Sequence, residues 1–124
     1  MTTCNHTPFN LEELHIIGGN YKEITIKILN IDNGNYLSGI NISVNFSLIE
    51  YKNRYGEPLL SKNCEMSSSD NTTFILSLQP EETNELCGVY IYQFSVQTSS
   101  GKQESFQGLI TIDKNINPDA FATT

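Results

Sequence analysis

This sequence predicts an all-β fold, an antiparallel sandwich of about seven strands. Three observations carry the prediction. Apolar and polar residues alternate with a period of two along much of the chain, as where Ile24, Ile26 and Ile28 are interleaved with Glu23, Thr25 and Lys27. Turn-forming clusters of Gly, Asn, Ser and Pro interrupt the alternation roughly every 8–12 residues. Apolar residues do not recur at the i, i+3, i+4 spacing of an amphipathic helix.

Each element can be justified in chain order. Residues 1–13 are polar and mixed and read as a flexible arm, in which Leu11-Glu12-Glu13-Leu14 could form one helical turn. The domain spans 14–115 and starts with a short strand, Leu14 to Ile17, broken by Gly18-Gly19-Asn20. The Ile24–Ile28 strand follows, with one wet and one dry face. Asn30-Ile31-Asp32-Asn33-Gly34-Asn35 is a turn, because Asn and Gly tolerate positive φ. Ile42, Val44, Phe46 and Leu48 face inward on the next strand, and Tyr51 to Pro58 is a loop. A short edge strand holds Leu59 and Leu60 and runs toward Cys64. A polar turn at Ser67–Asn71 leads to a strand with Phe74, Leu76 and Leu78 inward. Pro80–Asn84 is a crossing with a single turn of helix. Tyr90, Tyr92, Phe94 and Val96 form the dry face of the strand Val89–Thr98, and Ser99-Ser100-Gly101-Lys102 is a hairpin turn. Phe106, Gly108, Ile110 and Ile112 face inward on the last strand, and residues 116–124 read as a flexible tail.

The stretch Leu86-x-Gly88-x-Tyr90 makes the sandwich immunoglobulin-like. In such folds a Tyr at this corner returns its hydroxyl to upstream backbone and pins the crossing between sheets. Gly88 is expected to leave room for that approach. Tyr92 stands where antibody domains place a cysteine, and the chain has no Trp, so the domain is not of antibody type. Leu86, Gly88 and Tyr90 are therefore expected as a structural corner.

The remaining chemistry is sparse. The 124 residues suffice for one domain whose core needs no metal or disulfide staple, although apolar residues make up only 38%. Acidic residues outnumber basic ones 14 to 7, a net charge of −7, and no Lys/Arg cluster counters it. Nucleic acid and anionic membranes are therefore not expected partners. The N-terminus has neither the basic start nor the apolar stretch of a signal peptide, and no apolar run approaches a membrane span. Sequons at Asn5, Asn41, Asn45 and Asn71 then reflect an Asn- and Ser-rich composition. Three cysteines, Cys4, Cys64 and Cys87, lack CxxC spacing and read as reduced thiols, with a Cys64–Cys87 bridge left open. Cys87 is expected packed and Cys64 exposed.

A nucleophile needs a base within reach, and the only histidines are His6 and His15. Carboxylates fall mostly in turns and on wet faces, without a fixed pair of the kind that glycoside hydrolysis uses. Asp32-Asn33-Gly34-Asn35 lacks the full calcium-loop pattern, and Gly18-Gly19 does not precede a helix as a phosphate cradle would. The domain is thus expected to be non-catalytic, without cofactor or metal. Loop tyrosines, Tyr51 and Tyr55 foremost, could stack on sugar rings, which makes a cell-wall glycan the alternative ligand.

Three stretches resemble a known family. Gly18-Gly19-Asn20-Tyr21 leads into the alternating strand; Tyr36-Leu37-Ser38-Gly39-Ile40 precedes a strand containing Phe46. The run Glu82 to Phe94 is similar to the family's corner, T-x-x-L-x-G-x-Y-x-Y-x-[IF], and Gly108-Leu109-Ile110-Thr111-Ile112 to its ending. On these, residues 14–115 resemble the N-terminal domain of the baseplate upper protein family from phages of Gram-positive bacteria, and similar short phage tail components. The chain stops at Thr124, so the short stand-alone form is the closer comparison; Cys87 and the Asn-rich loops are not family features. The resemblance implies a virion component of a phage tail or baseplate, made without a signal peptide, docking onto other tail or baseplate proteins and carrying no catalytic residues.

Overall fold

A computed structural model describes residues 11–30, 33–53, 56–117 and 119 of the chain. Among them the strands are β1 (Leu14–Ile17), β2 (Lys22–Ile26), β3 (Ile42–Glu50), β4 (Leu60–Asn63), β5 (Glu65–Met66), β6 (Phe74–Leu78), β7 (Gly88–Thr98) and β8 (Gln103–Asp113). A 3-10 turn, Tyr51–Asn53, follows β3, and one helical turn, α1 (Pro80–Thr83), carries the chain from β6 to β7. The strands form two sheets, a five-stranded one ordered β1-β8-β7-β3-β4 and a three-stranded one ordered β2-β6-β5. This is the immunoglobulin-like arrangement: β2, β6 and β5 take the places of strands B, E and D, and β3, β7 and β8 those of C, F and G.

The alternation decides which side of each strand goes inside. On β3, Ile42, Val44, Phe46 and Leu48 are buried; on β6, Phe74, Leu76 and Leu78; on β7, Tyr90, Tyr92, Phe94 and Val96. Ile110 and Ile112 of β8 and Ile16 of β1 complete the core from the five-stranded side. Burying such residues supplies most of the drive to fold, about 25 cal/mol per Å² of apolar surface removed from water. The facing anticipated for each of these strands is the facing observed.

Two features depart from the sequence reading. The sheet is not wholly antiparallel, because β1 pairs with β8 in parallel, Leu14 opposite Ile110 and Ile16 opposite Ile112. Period-two patterning reports which face is buried but not the direction of the neighbouring strand. There is also one strand more than anticipated: β5, only two residues long, pairs with Ile75 and Phe74 of β6 and is too short to show a period.

Ordered contacts begin ahead of the expected domain start at residue 14. The Leu11 N–H donates to the Gln107 carbonyl, and Leu11 packs partly against the core. Leu11 to Glu13 are not helical. The rest of the expected arm, residues 1–10, lies outside the described residues, as does most of the expected tail at 116–124. Asn30 and Asn35 meet in a small hairpin, with the Asn30 N–H on the Asn35 carbonyl, the Leu37 N–H on the Ile28 carbonyl and Leu29 bridged to Tyr36; Ile31 and Asp32 of the expected turn lie outside the described residues.

Candidate functional site

Leu86, Gly88 and Tyr90 meet where the chain crosses from α1 into β7. The Tyr90 ring is buried, and its hydroxyl accepts the Cys87 N–H at 2.9 Å and donates to the Cys87 carbonyl at 3.2 Å. The hydroxyl therefore closes a loop of three residues onto its own strand's start. Gly88 acts differently from expectation. A Cβ there would meet nothing within 4 Å, so space is not the reason; its φ of +125° is, since that backbone suits glycine alone. Leu86 packs partly against the core beside it.

Next to the corner, Gly18-Gly19 runs against the crossing. The Gly19 N–H donates to the Thr83 hydroxyl at 2.9 Å, and Thr83 is the buried polar residue of α1. Tyr92, at the antibody cysteine's position, lies across its pair partner Gly108, where a Cβ would come within 2.6 Å of the ring. Its hydroxyl donates to the Glu12 carbonyl, which ties the segment before β1 to the middle of the sheet. Burial raises the Tyr92 phenol above its ordinary range. No sequence signal announced the Tyr92–Gly108 pair, because the register that places them opposite each other arises only on folding.

The charged groups mostly hold structure. Lys62 points inward from edge strand β4 and reaches the three-stranded sheet, donating to the Ser77 carbonyl and pairing with Glu82 at 2.9 Å. Partial burial pushes the Glu82 carboxyl up, but the Gln79 N–H and the Lys62 ammonium outweigh it and hold it below the usual carboxylate range. The Thr72 hydroxyl and N–H and the Thr73 hydroxyl hold Asp70 well below that range as they close the turn before β6. His15 pairs with Asp113 across β1 and β8, and the two help line an open surface cleft of about 390 Å³. Its described lining has an imidazole and a carboxylate but no Ser, Thr or Cys that they could activate. No group of three or more His, Cys, Asp and Glu side chains among the described residues could hold a metal ion.

The cysteine expectation is reversed. Cys64 is half-buried, and burial pushes its thiol up to about 11, whereas Cys87 is exposed at the corner. Both are free thiols. Cys64 is drawn inward because its N–H bonds the Val44 carbonyl, which extends the β3–β4 pairing one residue past β4.

Among the described residues, the loop tyrosines do not gather. Tyr51 sits half-buried in the 3-10 turn, and Tyr55 lies outside the described residues. Tyr21, at the start of β2, bonds Glu23 and Ser77; Tyr36, in the hairpin at the other end of the sandwich, lies under the Lys27 ammonium at 5.1 Å.

No protein-family model matches the chain, and no curated protein matches it. Solved structures share its fold. CopC from Methylosinus trichosporium OB3b is 15% identical with a TM-score of 0.51, over 85% of this chain and 87% of that one. The N-terminal domain of ORF48 of phage TP901-1 is 14% identical with a TM-score of 0.52, over 88% of this chain and 91% of that domain. Among the described residues, no helix is long and apolar enough to cross a membrane.

Proposed function

We propose that the chain is a non-catalytic structural or adaptor domain of a phage tail or baseplate, located in the virion and acting through contacts with other tail or baseplate proteins. The observation that carries this reading is the likeness of fold to a phage domain of matching extent, which covers 88% of this chain and 91% of that one. The sequence resemblance supports it independently. Its three stretches fall on the Gly18–Tyr21 lead into β2, the turn before β3, and the corner with the last strand, all of them scaffold. In such a role the domain contributes surfaces, not a reacting group, which suits a molecule whose polar side chains mainly bind one another.

Mass spectrometry of particles sedimented from an induced culture of the source organism tests the proposal. The chain is expected to co-sediment at a fixed ratio to the tail proteins. Intact particles free of it would overturn the reading.

A further inference from the structure

The outer face of the five-stranded sheet differs in kind from the rest of the surface. Its outward positions form cross-strand rows, such as Asn45–Ser95–Ser105 and Ser47–Gln93–Gln107, and these rows are uncharged. Among its described outward strand positions, charge enters the face only at one end, as the His15–Asp113 pair. The smaller sheet shows the opposite pattern, with Glu23 and Glu65 outward on β2 and β5. The chain as a whole carries a net charge of −7, so a neutral face this wide is a marked exclusion of charge.

The polar groups of the face also satisfy one another. Asn45 Nδ2 donates to Asn63 Oδ1 at 2.9 Å, Gln107 Nε2 to Gln93 Oε1 at 2.8 Å, and Gln93 Nε2 to the Ser95 hydroxyl at 3.0 Å. The Ser95 and Ser105 hydroxyls are 3.2 Å apart. A polar group that keeps its hydrogen bond costs little to bury. Beside this ladder runs an apolar row, Ile49–Ile91–Leu109, whose middle residue is already buried at 5% exposure and whose outer two are half-buried, with Val89 exposed next to it. Apolar side chains bordering neutral polar groups, with charge kept away, are the composition of a protein interface. A sugar face would instead present unsatisfied donors and acceptors outward.

We propose that this face is where two copies of the chain dock, sheet against sheet. Electrostatics selects the occupant. Two chains of net charge −7 repel one another through their acidic surfaces, and this face lets them meet without opposing like charges. A basic partner would gain nothing here and would be drawn to the acidic faces. Hydroxyl and amide side chains both donate and accept, so the ladder is complementary to its own two-fold image. The size also fits. Strands of 4, 11, 11, 9 and 4 residues make a face of about 600 Å² at about 3.3 Å per residue and about 4.8 Å between strands. The part at Ile91 is already covered, so the free area is smaller than the roughly 800 Å² each partner buries in a standard interface and fits a weak, concentration-dependent dimer. The inference does not depend on the virion reading, since a monomer can be a tail component and a dimer can lie outside the particle.

Sedimentation equilibrium of the full chain between about 1 μM and 1 mM tests it. The weight-average mass is expected to rise from 13.9 kDa towards twice that value. Ser95→Glu, at the centre of the ladder, is expected to weaken association at least tenfold, and Gln97→Glu to weaken it in the same sense. Thr25→Glu, outward on the smaller sheet, should leave the curve unchanged. Near-UV circular dichroism confirms folding of each variant; should Ser95→Glu fail to fold, Gln97→Glu at its exposed position carries the test. A 13.9 kDa species at every concentration, or a dimer indifferent to both face glutamates, would overturn the proposal.

Discussion

The Tyr90 hydroxyl is the single atom on which the corner turns. It satisfies both backbone groups of Cys87 at once, in a place where the chain leaves α1 and cannot use ladder bonds. Tyr90→Phe keeps the ring and leaves those two groups short of a partner, so it should cost about 1 kcal/mol. Urea titration of both proteins reads that cost; superimposable curves would mean that the hydroxyl contributes nothing to stability. Cys64 offers a second residue-scale test. With its thiol raised to about 11 from 9.0, its thiolate at neutral pH is about 100-fold scarcer than in the unfolded chain. Iodoacetamide should therefore label Cys64 far more slowly in the native protein than in urea, as followed by peptide mass spectrometry. Equal rates would place the thiol in water. The Tyr at the corner was legible because the Leu-x-Gly-x-Tyr spacing is local. The Cys64 environment was not, since it depends on a bond to Val44 twenty residues away.

At the scale of elements, a charged side chain ties edge strand β4 to the opposite sheet. Lys62 occupies an inward position opposite Phe46, yet its ammonium finds the Ser77 carbonyl and Glu82 at the rim. Because the folded-state pKa of Glu82 is depressed, its contribution is present above the unfolded value near 4.3 and is lost as pH falls through the folded value. Glu82→Gln should thus lower stability at pH 7 by about 1–3 kcal/mol, the range for hydrogen bonds to charged groups. Below about pH 4.3 its stability should fall less steeply than that of the wild type. Thermal melts at a series of pH values check both parts, and parallel acid slopes would contradict the assignment. A lysine amid strand residues reads from sequence as a solvated charge. Only the arrival of α1 beside β4 gives it a partner.

For the whole molecule, the decisive contacts lie between strands remote in sequence. Phe46 of β3 stands 5.4 Å from Phe94 and 6.3 Å from Tyr92 of β7, ring centre to ring centre, and the three rings fill the centre of the five-stranded sheet's inner side. Phe94→Ala should cost about 3–5 kcal/mol, as for a buried aromatic whose cavity cannot collapse. A loss below about 1 kcal/mol in guanidinium titration would show that the ring is not enclosed. The same packing explains why the fold survives with neither Trp nor disulfide at the positions antibody domains use. Tyr92 fills the cysteine's place, lies over Gly108 and bonds the Glu12 carbonyl.

By itself the sequence determined most of the strands, their facing and the local turn at the corner. These follow from properties of neighbouring residues: the two-residue period of a strand, the φ freedom of Gly and Asn, and the reach of a Tyr hydroxyl to backbone close by. The tertiary structure decided what depends on register and direction. It set β1 parallel to β8, laid Tyr92 over Gly108, gave Lys62 its carboxylate, and aligned the Ser, Asn and Gln of separate strands into one neutral, self-bonded face. A strand's pattern states which side is buried but not which strand lies alongside, and every one of these features is a relation between neighbours that only packing brings together.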